Sequence, residues 1–95
     1  SYRECPMCKG IGLTRSSEAT AISYFRKIWL MLAQKKPAAV RGTFSVQVAN
    51  YLLNRKRTDL ADLEKQYDAS IVIEASTALH AHEGHLEFTP REAPL

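Results

Sequence analysis

The chain lacks the features that mark secreted and membrane proteins. Its 95 residues include only two cysteines, Cys5 and Cys8, which are too few and too close together for the disulfide framework of a small secreted domain. The most apolar stretch, residues 21–33, is interrupted by Arg26 and Lys27 and is too short to cross a bilayer of about 30 Å. No charged and then apolar leader is recognisable. We therefore expect a cytoplasmic protein without a transmembrane segment.

Glycine, proline and net charge are also scarce. The chain has four glycines and four prolines, and it shows no low-complexity tract. The formal net charge is +3 and the pI is about 9.0, which permits contact with nucleic acid without requiring it. Ninety-five residues suffice for one small domain with its own core. Because Ser1 rather than methionine opens the chain and Cys5 follows almost at once, we expect a segment of a longer protein.

Hydrophobic periodicity predicts three helices and three strands. In chain order these are a helix over 17–35, a strand over 40–46, helices over 48–54 and 58–68, and strands over 70–75 and 85–88. The apolar stripe predicted for the first helix comprises Ile22, Phe25, Ile28, Trp29 and Leu32. Within the first strand, Gly42 is expected to weaken pairing and to mark a bulge.

The order of these elements predicts an α+β fold, a two-layer α/β sandwich with a small three-stranded mixed sheet packed against helices. The first two strands are joined by helices and are expected to lie parallel through a right-handed crossover. The last two are close enough in sequence for an antiparallel pair, and the nearly all-apolar strand 70–75 is expected to be central. The predicted organisation is a cysteine knuckle over 1–14, an α/β domain over 15–90 and a frayed tail over 91–95.

The two cysteines belong to a C-x-x-C-x-G-x-G pattern over residues 5–12. One interpretation is a thiol–disulfide oxidoreductase, in which a strand feeds the first cysteine and a helix starts at it, lowering the thiol pKa. Only four residues precede Cys5, however, and Gly10 and Gly12 are poor helix formers. The other interpretation is a metal knuckle, because a tight turn points both sulfurs at one cation and glycines allow close backbone approach. Zinc is the natural cation for paired thiolates.

One knuckle supplies only two of the four ligands that a structural zinc needs. His80, His82 and His85 form a suggestive cluster, but their spacing differs from the three to five residues typical of zinc-finger histidines. Alternatively, the cysteine pairs of two chains meet on a two-fold axis, an isologous arrangement of the kind common in homo-oligomers. Both solutions remain open from the residues alone.

A basic run, Arg55-Lys56-Arg57, has a functional and a structural interpretation. Its cationic groups are able to follow an RNA backbone, or they solvate the junction between two helices and complement a helix C-terminus. Nearby, Asp59 and Asp62 are three residues apart at the start of a predicted helix. Capping and a solvated face are the favoured interpretation of this acidic pair, rather than a cation site.

Four segments closely resemble the last part of the catalytic half of the ribonuclease E/G family of endoribonucleases. They are CPMCKGIG (5–12), RSSEATAISYFRKIW (15–29), VANYLLNRKR (48–57) and SIVIEA (70–75). The resemblance extends from Cys5 to about Phe88. DnaJ-type chaperones use the same cysteine pattern, but they repeat it several times, whereas this chain has it once. Met7, Lys9 and Ile11 depart from the common family residues without replacing a cysteine or a glycine.

This resemblance implies that Cys5 and Cys8 share one zinc with the same pair of a second protomer, an arrangement known as the zinc-link. It implies a homodimer, with a dimer of dimers as a further assembly, and a small domain that helps to build the oligomer. Such endoribonucleases cleave single-stranded RNA in RNA processing and decay, using magnesium held by aspartates of a preceding nuclease domain. Since that domain is absent from these 95 residues, we expect the segment itself to be non-catalytic.

Overall fold

The computed structural model of the protein describes residues 14–91, which contain three helices and three strands. The helices are α1 (Arg15–Lys35), α2 (Val46–Arg55) and α3 (Arg57–Tyr67), and the strands are β1 (Ala39–Phe44), β2 (Ser70–Ala75) and β3 (Gly84–Thr89). This order confirms the predicted succession of helix, strand, helix, helix, strand, strand. None of the described helices combines the length and the apolar character needed to cross a membrane.

Helix α1 begins and ends on specific capping residues. Thr14 is the N-cap, and its hydroxyl accepts a hydrogen bond of 3.0 Å from the amide of Ser17, which satisfies one of the free donors of the first turn. Glu18 lies in that turn, where the helix dipole favours an acidic group. At the other end Lys36 adopts a left-handed conformation, with φ of 48°, and Pro37 follows and prevents continuation.

The sheet has the strand order β2-β1-β3, with β1 in the centre. Strand β1 pairs in parallel with β2 and antiparallel with β3, so the predicted parallel crossover is confirmed. The predicted antiparallel pairing of the last two strands is wrong, as is the central position of 70–75. The connection over 76–83 has eight residues, which is long enough for the chain to cross the end of β1, so that β3 pairs with the other side of β1 rather than with β2. Strand β2 is a sheet edge, with Val72 42% exposed.

Gly42 does not mark a bulge. The register of β1 runs without interruption against both neighbours, with Gly42 opposite Ile73 of β2 and Leu86 of β3. Instead, the missing side chain makes room for the aromatic ring of Phe44, which would lie 2.5 Å from a β-carbon at this position. The glycine is therefore a packing residue.

A single hydrophobic core lies between the sheet and the helices. The buried apolar residues come from all three helices and from β1: Ala21, Phe25, Ile28, Leu32, Val40, Phe44, Val48, Ala49, Leu52, Leu60 and Leu63. The opposite face of the sheet is open, as shown by the exposed Arg41–Glu74 ion pair of 3.3 Å. The predicted α+β sandwich is therefore confirmed.

The predicted stripe of α1 is partly wrong. Phe25, Ile28 and Leu32 are buried as expected, but the stripe continues through Ala21 instead of Trp29. Trp29 is 47% exposed. It lies one turn after Phe25, on the flank of the helix rather than on the face that meets the sheet.

Candidate functional site

The two cysteines of the predicted metal knuckle lie outside the described residues 14–91. The first residue that the structure describes is Thr14, the N-cap of α1. Six positions separate Cys8 from this residue. The start of α1 is therefore the part of the domain nearest to the cysteine pair along the chain.

The start of α1 is fixed to α2 by a chain of polar contacts. The Thr14 hydroxyl donates to Ser17 Oγ at 3.0 Å, and Ser17 Oγ donates in turn to Oε1 of Gln47 at 2.6 Å. Ser17 is 1% exposed, so this contact is shielded from water. Glu18, the residue after Ser17, accepts a hydrogen bond of 3.3 Å from the hydroxyl of Tyr51 on α2. These bonds fix the start of α1 relative to α2.

The same region bears on the oxidoreductase interpretation. In a redox C-x-x-C site the helix starts at the cysteines, because its free amides stabilise the thiolate. Helix α1 starts at Arg15, seven positions after Cys8, so α1 is not a helix that begins at the cysteines; the residues around the cysteines lie outside the described part of the chain.

The three histidines do not form a common cluster in the described part of the chain. Nδ1 of His82 lies 2.7 Å from the hydroxyl of Thr20 on α1, and His85 is paired with Thr43 across the β1–β3 ladder. His80 contributes its backbone amide to the carboxylate of Glu83 at 2.7 Å. Among residues 14–91 no group of three or more histidine, cysteine or acidic side chains is arranged to hold a metal.

The predicted RNA-contact residues lie together at the corner between α2 and α3. Arg55 ends α2, Lys56 is at once the C-cap of α2 and the N-cap of α3, and Arg57 begins α3. Both arginines are exposed. The Lys56 ammonium lies 3.6 Å from the carboxylate of Asp59 in the first turn of α3. Asp59 and Asp62 are exposed as predicted, but no side chain caps the start of α3, so the predicted capping role is wrong.

The structure adds aromatic residues that sequence proximity did not associate with this corner. Nζ of Lys56 lies 5.4 Å from the centroid of the Phe25 ring, within cation–π range. The Phe25 ring in turn meets the ring of Trp29 edge-on, with 6.3 Å between centroids. Tyr51, the aromatic residue closest in sequence, is instead engaged with Glu18.

A signal for this surface exists in the sequence and was missed. From residue 19 to residue 58 there is no aspartate or glutamate. The same stretch contains eight cationic residues: Arg26, Lys27, Lys35, Lys36, Arg41, Arg55, Lys56 and Arg57. The modest net charge of +3 conceals this segregation, because the acidic residues are concentrated towards the end of the chain.

Comparison with known proteins decides the family. Residues 4–89 match the family model of the RNase E/G thioredoxin-like domain. The chain belongs to the ribonuclease E/G family. The match includes both cysteines as well as all six helices and strands of the described part. A family of ribonucleases does not favour the interpretation as a thiol–disulfide oxidoreductase.

Several ribonucleases E are similar to the chain. The protein of Haemophilus influenzae is 30% identical over 79 residues, which is 83% of this chain and 8% of that protein. Ribonuclease E of Escherichia coli is 32% identical over 68 residues, covering 72% of this chain and 6% of its own length. Ribonuclease E of Buchnera aphidicola subsp. Acyrthosiphon pisum is 35% identical over 66 residues, which is 70% of this chain and 7% of that protein. The chain thus spans less than a tenth of the length of these relatives.

Proposed function

We propose that this chain is the zinc-link and small domain of a ribonuclease E/G-like endoribonuclease, and that it acts in assembly rather than in catalysis. The observation that carries the proposal is the family match over residues 4–89, which joins the cysteine pair and the α/β domain in one unit. The parent enzyme is proposed to cleave single-stranded RNA in RNA processing and decay, in the cytoplasm, where thiols remain reduced.

Zinc is proposed to be shared between two copies of the chain. Four thiolates complete a tetrahedral site, and Cys5 and Cys8 are the only cysteines that one chain provides. Among residues 14–91 no three histidine, cysteine or acidic side chains are grouped to hold a metal, so the histidines do not form a site by themselves. A two-fold arrangement of two cysteine pairs therefore accounts for the ligand number.

Assembly is the favoured role because the domain has its own core. The buried apolar side chains of the described part lie between Ala21 and Leu63, remote in sequence from the cysteines. Structural zinc contributes on the order of 10–16 kcal/mol in zinc-finger peptides at neutral pH, and in a shared site part of this offsets the entropy lost on association. Zinc binding is thus expected to appear mainly as dimer stability. A dimer of dimers is the proposed larger assembly.

Catalysis is proposed to reside in the parts of the parent enzyme that this chain does not include. Magnesium, the proposed catalytic ion, is usually held by one or two carboxylates together with substrate phosphates and water. Asp59 and Asp62 are exposed on α3, and Asp59 pairs with Lys56 at 3.6 Å. Asp59 therefore lies in the first turn of α3 and Asp62 on its exposed surface, and we assign no nuclease role to this domain.

Native mass spectrometry with zinc quantification tests the proposal directly. A shared four-thiolate site gives one zinc for every two chains, all of it in the dimer. Coordination by cysteines and histidines of the same chain gives one zinc per chain instead, and this result would overturn the two-fold site.

Cys5→Ser is the informative variant. Removing one thiolate from each chain leaves two sulfurs in the shared site, so we expect zinc and dimer to be lost together while the helical circular dichroism signal remains. His82→Ala is the matched control and should keep both zinc and dimer. A Cys5→Ser protein with unchanged metal content and unchanged mass in solution would contradict the zinc-link.

A further inference from the structure

The stretch from residue 19 to residue 58 carries cationic side chains but no acidic ones. Of the eight basic residues between 19 and 58, Arg41 and Lys56 pair with a carboxylate within residues 14–91. The other six have no ion-pair partner in that part of the chain: Arg26, Lys27, Lys35, Lys36, Arg55 and Arg57. A polyanion is the ligand that such a surface attracts.

Trp29 adds a flat aromatic surface to this charge. Its side chain is 47% exposed, although tryptophan is the largest apolar residue of the domain. Phe25, which is only 9% exposed, supports the indole edge-on. Arg26 lies three positions before Trp29, so the two side chains are neighbours on the surface of α1.

Phe25 also joins Trp29 to the basic corner. The Lys56 ammonium stands over the ring of Phe25 at 5.4 Å, while the indole of Trp29 touches the same ring. Arg55 and Arg57 flank Lys56 and are both exposed. The Lys56 ammonium and the half-exposed indole of Trp29 therefore contact the same buried ring.

We propose that this surface binds single-stranded RNA, with one base stacked on Trp29 and the adjoining phosphates held by the cationic groups. The basic–aromatic face, as it is called below, consists of Arg26, Trp29, Arg55, Lys56 and Arg57. Stacking on an aromatic side chain tolerates any base, because every base has a π-face. Bases inside a duplex are already stacked and cannot reach the indole. The face therefore selects unpaired strands without selecting their sequence.

A protein partner is the competing occupant of an exposed apolar residue. Such an interface would use Leu30 at least as much as Trp29, since Leu30 is 56% exposed on the same helix. Arginine and tryptophan are enriched at protein interfaces as well, but lysine is depleted there, and Lys56 lies between the two arginines of this face. Arginine also binds phosphate in a bidentate manner, so a phosphate backbone matches all the cationic groups of the face at once.

Intrinsic fluorescence tests the contact, because Trp29 is the only tryptophan of the chain. Titration with an oligouridine of about 12 nucleotides at low salt should quench the indole emission as the RNA binds. Heparin, a polyanion without bases, should bind without comparable quenching, and a duplex RNA should quench less. RNA binding that leaves the emission unchanged would overturn the stacking contact, and the absence of RNA binding would overturn the site.

Trp29→Ala separates stacking from charge. We expect about a tenfold loss of oligouridine affinity, the size of a typical base–aromatic contact, whereas Trp29→Phe should retain part of the affinity. Leu30→Ala is the matched control for lost apolar surface and should bind as the unmodified chain does. Equal losses in Trp29→Ala and Leu30→Ala, or no loss in either, would contradict the proposal and favour a protein interface.

The charges are tested by the salt dependence of binding. Lys56→Gln and Arg57→Gln should each lower the slope of log K against log salt concentration by about 0.7, the value for one phosphate contact on a single strand. Arg41→Gln removes the same charge from the open face of the sheet and should leave the slope unchanged. Equal effects of all three variants would show non-specific attraction and overturn the site.

This site does not depend on the zinc proposal. Its residues lie in the described domain, and the Cys5→Ser protein should bind oligouridine with the affinity of an unmodified monomer. The two proposals therefore fail separately: loss of zinc leaves the quenching of Trp29 by RNA intact, and loss of the Trp29 contact leaves the zinc stoichiometry intact.

Discussion

Gly42 sets the packing distance between the centre of the sheet and the aromatic core. A β-carbon at this position would meet Cε2 of Phe44 at 2.5 Å and Cδ2 of Leu86 at 3.2 Å. Phe44 has no exposed surface, so its ring would have to shift within the core to admit a methyl group. The need for glycine here arises from a side chain two residues away and not from an unusual backbone angle.

Gly42→Ala is therefore expected to destabilise the domain by about 1–3 kcal/mol, the usual cost of overpacking a well-filled core. Urea unfolding followed by circular dichroism measures the change in free energy of unfolding. Ser70→Ala, at an exposed position of the edge strand, should stay within about 0.5 kcal/mol of the unmodified domain. Equal stability of the glycine and alanine proteins would mean that Phe44 repacks without cost.

Trp29 shows what helical periodicity predicts and where it fails. Spacing placed Trp29 on one buried stripe with Phe25, Ile28 and Leu32. The prediction was correct for these three residues, which are buried, and wrong for Trp29. The width of the buried stripe depends on which elements pack alongside the helix. The sequence of the helix alone does not show which elements these are. Lys56, at the corner between α2 and α3, lies over the ring of Phe25, but the indole of Trp29 remains 47% exposed. Trp29 is therefore a surface residue, although periodicity predicts it in the core.

At the scale of elements, the start of α1 depends on a shielded polar contact rather than on apolar packing alone. Ser17 accepts from Thr14 and donates to Gln47, and it is almost fully buried. The partners of Ser17 are less buried, since Gln47 is half-buried and Thr14 is exposed, so losing the bond costs about as much as an ordinary protein hydrogen bond.

Ser17→Ala should accordingly cost about 1–2 kcal/mol of unfolding free energy, since it leaves the Gln47 carbonyl oxygen without its donor. Its neighbour Ser16 is exposed, with its hydroxyl 3.0 Å from that of Thr14, so Ser16→Ala should change the stability far less. Thermal unfolding of the two variants in parallel gives the comparison. Equal melting temperatures would show that the Ser17–Gln47 bond contributes nothing to the stability of the domain.

The types of the elements were more predictable than the order of the strands in the sheet. All six helices and strands and the parallel crossover followed from periodicity, turn residues and the handedness rule. The position of β1 between its neighbours did not follow, because an apolar run such as 70–75 looks the same in a central strand and in an edge strand. Here Ile71 and Ile73 face the helices, while Val72 is exposed. Only the complete pairing pattern separates the two cases.

At the scale of the whole molecule, metal and fold should be separable. The described domain has a core of its own, so removing zinc with a strong chelator should convert dimers to monomers without abolishing the cooperative unfolding transition. Light scattering after size exclusion measures the mass, and circular dichroism measures the transition. Restoring zinc should restore the dimer. Unfolding of the domain on chelation would mean that the metal organises the fold itself.

The fixed start of α1 also limits the distance between each domain and its own cysteine pair. Six residue steps separate Cys8 from Thr14, and an extended chain covers at most about 3.6 Å per residue. Each domain of a zinc-linked pair would therefore lie within about 20 Å of its own cysteine. A short tether of this kind corresponds to a millimolar effective concentration. Two weak basic–aromatic faces held so close together would bind one RNA strand with the avidity of a bivalent receptor.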